Sequence, residues 1–159
     1  MPVPRYASVL PALFLLLSLN ACREADAGQA RVTIHTAAGH GVSYRVEVAL
    51  TDLQRSRGLM YRRQMAADAG MLFLYQPPAP VAMWMHNTLL PLDMLFVDEY
   101  GVIVKIAANT VPRSTRHINS GAPVAAVLEL NAGQAVRRGI QVGDRMEWRK
   151  DRIPRLRSE

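Results

Sequence analysis

Past residue 30, β-forming residues come only in short runs, each closed by glycine, proline or a polar turn. Short strands between Pro/Gly turns point to a mostly-β architecture. Arg31–Thr36 alternates, with Val32 and Ile34 on one face. Val42–Leu50 alternates again, with Val42, Tyr44, Val46, Val48 and Leu50 sharing a face. Ala37–Gly41 lies between them as turn material, so the pair reads as a hairpin. Thr51 or Asp52 can cap a helix, with Leu53, Arg57 and Met60 at helical spacing and Gly58 weakening it. The residues from Arg62 to Gly70 read as a loop or a second helical turn.

Further strands are expected at Met71–Tyr75, Val81–His86, Met94–Val97, Val102–Ala107, Val124–Leu130 and Arg145–Trp148. Gln76–Pro80 reads as a turn, because prolines have no place in a central strand. Asp98–Gly101 closes a second hairpin, and Ala132–Arg138 suits a short turn or helix. Gly143-Asp144 looks like a tight turn in which glycine supplies a positive φ and aspartate accepts backbone N–H bonds. Eight or so strands with one or two short helices predict a mostly-β domain, a small barrel or sandwich. At 159 residues, the chain is too short for a TIM barrel or a two-domain dehydrogenase.

The N-terminus has a different character. Arg5 precedes an apolar run from Ala7 to Leu19, too short to span a bilayer core of roughly 20 residues. Leu19-Asn20-Ala21-Cys22 resembles the lipobox of bacterial lipoproteins. This gives residues 1–21 as a signal peptide, Cys22 as the lipidation site and residues 22–30 as a tether. The domain then covers residues 31–148, and residues 149–159 form a basic, disordered tail. Plain secretion and an uncleaved anchor are the alternatives; all three export the domain. Cys22 is the one cysteine, so neither an internal disulfide nor a cysteine-based zinc site can form. The net charge of +6 suits an anionic membrane or an acidic glycan. No helix-turn-helix and no basic-aromatic interleaving points to nucleic acid.

The richest local cluster is Met83-Trp84-Met85-His86-Asn87-Thr88, with Asp93 nearby. Period-two alternation separates Met83 and Met85 from Trp84 and His86. If Trp84 faces a groove, its ring is a platform for a sugar or apolar ligand. His86, Asn87, Thr88, Asp93 and Arg57 would be its polar neighbours. Asp93 could instead orient Thr88 or cap a turn. Asp93 and Glu129, with Arg62, form a conceivable set for glycan cleavage, which needs two carboxyls within about 5 to 9 Å. Glu129 in Leu128-Glu129-Leu130 either faces solvent or is partly buried against an arginine such as Arg57 or Arg62. Met83, Met85 and His86 are a thin set for copper. No HExxH or GxSxG motif occurs, and no cofactor is expected.

Five stretches fall in a pattern that resembles a known family. They are Gly58–Arg63, Gly70–Phe73, Trp84–Thr88 followed by Pro91–Val97, Leu128–Gly133, and Gly143-Asp144. In order and spacing they are similar to the DUF192 (UPF0127) family, small mostly-β domains often found behind export signals. The resemblance covers residues 31–148. It implies a barrel-like fold and supplies no activity. The family has a lysine-like residue where His86 stands, so the resemblance implies no special role for that imidazole. The sequence reading is then a non-catalytic envelope domain, bound to the bilayer by lipid, with a groove near Trp84. That groove would take a small polar ligand, an envelope glycan or a periplasmic protein. The alternatives are a glycan hydrolase or lyase, and metal handling.

Overall fold

The computed structural model describes residues 29–148. Within them the chain forms β1 (Gln29–His35), β2 (Gly41–Ala49), α1 (Asp52–Arg57), β3 (Ala69–Met83), β4 (Leu92–Val97), β5 (Ile103–Ala107), β6 (Ile118–Asn131), α2 (Gln134–Arg137) and β7 (Arg145–Trp148). One mostly-β sheet runs β5-β4-β6-β3-β2-β1-β7 and curls into a half-barrel. Its two edge strands touch at one end, where Val102 bridges Arg145. There Met146 N–H donates to Gly101 O at 2.7 Å and Ile103 N–H to Asp144 O at 2.9 Å. The expected signal segment, the lipidation site Cys22 and the basic tail lie outside the described residues. Gln29 and Ala30, expected in the tether, belong to β1 instead: they pair with Glu47 and Val46, and Ala30 is buried.

Both expected hairpins form: β1 pairs β2, and β4 pairs β5, each antiparallel. β1 is flanked on its other side by β7, with Val32 opposite Trp148 and His35 opposite Arg145. β2 and β3 pair in parallel, which a tight turn cannot connect. The crossover is α1 and the loop behind it. Thr51 caps that helix, accepting from Gln54 N–H while the Gln54 side chain accepts from Thr51 N–H. Gly58, at φ 46°, ends it. The helix is shorter than the Leu53/Arg57/Met60 spacing predicts, and Leu53 is exposed. Its sequence has no second apolar position that could pack beneath it.

Two expectations are corrected on β3. Gln76–Pro80 is not a turn that ends the strand: β3 continues through it, with Ala79 opposite Val124 and Pro80 opposite Pro123 after a register shift. β2 pairs only with Ala69–Phe73. The proline-bearing half is therefore an edge on that side, where a missing N–H costs no ladder bond. The strand expected at Val81–His86 stops at Met83. Met85 N–H turns instead to Ser114 O, and Thr88 N–H back to Met85 O. β6 is correspondingly longer than expected, because Ile118 and Asn119 pair with Met83 and Ala82.

The sheet buries apolar side chains on both faces. Val32, Ile34, Tyr44, Val46, Leu72, Leu95 and Leu128 fill the concave side. Leu59, Met71, Phe73, Met94, Phe96 and Val127 form a second layer on the other. β4 is therefore buried along its whole length. The Gly143-Asp144 turn is as expected: Gly143 has φ 97°, and Asp144 accepts from Ala37 N–H at 2.9 Å and Gln141 N–H at 2.7 Å.

Candidate functional site

The second layer is incompletely covered. Between α1, the middle of β3 and the loop after it lies a cavity of ≈ 420 Å³, lined by Arg55, Arg57, Tyr75, Trp84, His117 and Glu129 among others. Trp84 stands at its edge, 44% exposed. The imidazoles of His86 and His117 flank its ring, with centroids 5.1 and 6.2 Å away. A neighbouring concavity of ≈ 670 Å³ shares Arg57, Gly58 and Met60 with the first.

Glu129 is the deepest polar group of the site, 4% exposed. On β6 it lies between Met71 of β3 and Met94 of β4, all three on the same face. Two thioethers give a carboxylate no hydrogen bond. Burial alone pushes its acid up to about 8. Its carboxyl has no hydrogen-bond or ion-pair partner among the described residues, and no side-chain oxygen there is sealed off without one. The accessible surface it keeps therefore opens to the cavity. The expected arginine partner is absent: Arg62 donates to both carboxylate oxygens of Glu47, one at 2.6 Å. That contact holds Glu47 below the ordinary carboxylate range and raises Arg62. Arg55 is also committed, to Asp52 and to the carbonyls of Leu50 at 2.6 Å and Leu74 at 2.9 Å, and lies over the Tyr75 ring. Burial pushes the Tyr75 hydroxyl up to about 12, and Glu129 adds to the shift.

Asp93 is elsewhere. It pairs with Leu130 in the ladder, so its side chain is on the concave face, opposite to Glu129. There it is fully buried and accepts from Asn109 N–H and Ala135 N–H, each at 2.9 Å. It caps backbone and does not orient Thr88, whose hydroxyl donates to His86 O at 3.3 Å. Asp93, Glu129 and Arg62 thus do not converge, and a carboxyl pair on opposite faces of a sheet cannot flank one glycosidic bond.

Of the expected groove residues, the structure brings Trp84, Thr88 and Arg57 to one cavity. Asn87 is turned away, donating to the Tyr61 hydroxyl at 2.7 Å. Met83 and Met85 are buried, and their sulfurs accept from Tyr75 and Thr110 hydroxyls at 3.5 and 3.2 Å. The described residues contain no cluster of three or more His, Cys, Asp or Glu able to hold a metal. Sequence reasoning missed Arg55, Tyr75 and His117 as cavity residues. The Asp52/Arg55 spacing on the helix is a local signal for the first; nothing local marks the other two.

The DUF192 model, described as an uncharacterized ACR, matches residues 33–148. The chain belongs to the DUF192 family. Two crystal structures are similar to this DUF192 protein. One is of a proposed transcription regulator from Sinorhizobium meliloti 1021, 52% identical, with a TM-score of 0.74 over 76% of this chain and 93% of that one. The other is a protein of unknown function from Novosphingobium aromaticivorans, 39% identical, with a TM-score of 0.73 over 76% of this chain and 85% of that one. No curated protein matches the DUF192 chain.

Proposed function

We propose that this protein is a non-catalytic envelope domain, held to the membrane by lipid on Cys22, that binds a small polar ligand of saccharide type in the cavity beside Trp84. The observation that carries the reading is the half-exposed Trp84 ring at the edge of a cavity whose floor is an unpartnered carboxyl. Aromatic faces stack on the apolar faces of sugar rings, and a few convergent polar groups fix orientation. A hydrolytic reading is disfavoured by the separation of Asp93 from Glu129. Nucleic acid is not part of the proposal: Arg45, Arg55 and Arg62 each pair with an acid, which dilutes any basic surface.

The binding test is isothermal titration calorimetry of the full chain in detergent against neutral mono- and oligosaccharides. Trp84→Ala should weaken binding at least about tenfold, the loss of one stacked aromatic, with the melting temperature nearly unchanged. Binding that survives Trp84→Ala undiminished would refute the site. For the anchor, the expressed protein should incorporate labelled palmitate and the Cys22→Ser variant should not; no label in the natural chain, or label that persists in Cys22→Ser, argues against lipid on Cys22.

A further inference from the structure

We propose that the cavity selects an acidic sugar, a pyranose bearing a carboxylate, with its ring against Trp84, its carboxylate on Arg57 and a ring oxygen receiving a hydrogen bond from Glu129. This rests on the cavity being the binding site and adds the class of ligand. Three observations support it. Arg57 lines both concavities and has no acid partner among the described residues, whereas the neighbouring Arg55 and Arg62 are each held by one. Arg57 therefore offers a free guanidinium at the rim, suited to a carboxylate. Glu129 is buried, lines the same cavity and has no hydrogen-bond partner of its own. Trp84, partly exposed, lines the cavity with them.

The charges argue for an anion over a cation. The groups around Glu129 are the thioethers of Met71 and Met94 beside it, Tyr75 from β3, Arg55 and Arg57 from α1, and His117 from the segment before β6. Asp52 also reaches the rim but is paired with Arg55. A cationic ligand would pass the Arg57 guanidinium to reach an acid that burial keeps protonated near neutrality. A protonated acid is a donor, matched to a sugar hydroxyl or ring oxygen. Once Glu129 ionises it loses that donor and faces the ligand's own negative charge, so binding weakens as pH rises through about 8.

The test titrates the full chain with glucuronate, glucose and glucosamine, read by Trp84 fluorescence in a Trp148→Phe background. At pH 7 glucuronate should bind about tenfold more tightly than glucose, the worth of one charge-assisted contact. Arg57→Gln should reduce glucuronate to the glucose level. Glu129→Gln, which keeps a donor, should keep the preference and remove the loss above pH 8. Equal binding of glucuronate and glucose overturns the acidic class but leaves the cavity as a sugar site. A preference for glucosamine, or one for glucuronate that survives Arg57→Gln, overturns it too. If none of the three sugars binds, the saccharide reading of the cavity falls with it.

Discussion

A chain carrying Glu129→Gln should keep its folding stability between pH 5 and pH 9, whereas the natural chain should lose several kcal/mol over that interval. In the folded protein Glu129 holds its proton until about pH 8, against an ordinary value of 4.5. The folded state therefore binds more protons than the unfolded one between those values, and stability falls as pH rises. Below pH 4.5 both states are protonated and the group costs nothing. Above about 8 the full penalty applies and the curve is flat again. Each tenfold step in proton affinity is worth about 1.4 kcal/mol, so the span amounts to about 5 kcal/mol as an upper figure. Glutamine keeps the shape and removes the charge. It still buries an amide, so the variant should be close to the natural chain at pH 5 and clearly more stable at pH 9. Urea midpoints at the two pH values decide this. If both proteins lose the same stability, Glu129 is ionised in the fold and the buried neutral acid is wrong.

Asp93→Ala should be the most damaging single truncation on the other face. It removes both acceptors from Asn109 and Ala135 and leaves the Ala135 N–H without its partner in the interior. Hydrogen bonds to a charged acceptor are worth about 1.5–3 kcal/mol each, and the orphaned donor adds to the loss. We expect about 3–5 kcal/mol, which lowers the melting temperature by on the order of 10–20 °C in a domain of this size. Asp93→Asn retains one acceptor oxygen and should lose less. Neither change touches the cavity, so the Asn variant should bind ligand like the natural chain. A melting temperature left intact in Asp93→Ala, together with lost binding, would return Asp93 to the functional site.

The sequence made the hairpins, the helix cap, the Gly143-Asp144 turn and the fold class legible, because each depends on residues close together in the chain. Val32 and Ile34 announce a buried face by alternation alone, and Thr51 with Gln54 announces a helix start. Trp84 and Arg57 as cavity residues were also legible. What alternation cannot show is which strands lie side by side. Met71 and Met94 come together around Glu129 only through the β3-β6-β4 register, so the missing arginine partner was invisible. Asp93 and Glu129 looked like a pair because their order along the chain says nothing of the face each occupies. The proline run misled for a related reason. The rule against proline in a strand holds for paired N–H groups, and only the sheet shows that this half of β3 has a free side.

The arrangement of β1 between β2 and β7 has a geometric corollary. The described chain enters at Gln29 and leaves at Trp148, which sits opposite Val32 on the adjoining strand, about 10 Å along it from the entry point. Entry and exit of the described residues thus lie on neighbouring strands at one end of the sheet. A partner joined directly at Gln29 or at Trp148 would sit beside that same end of the sheet.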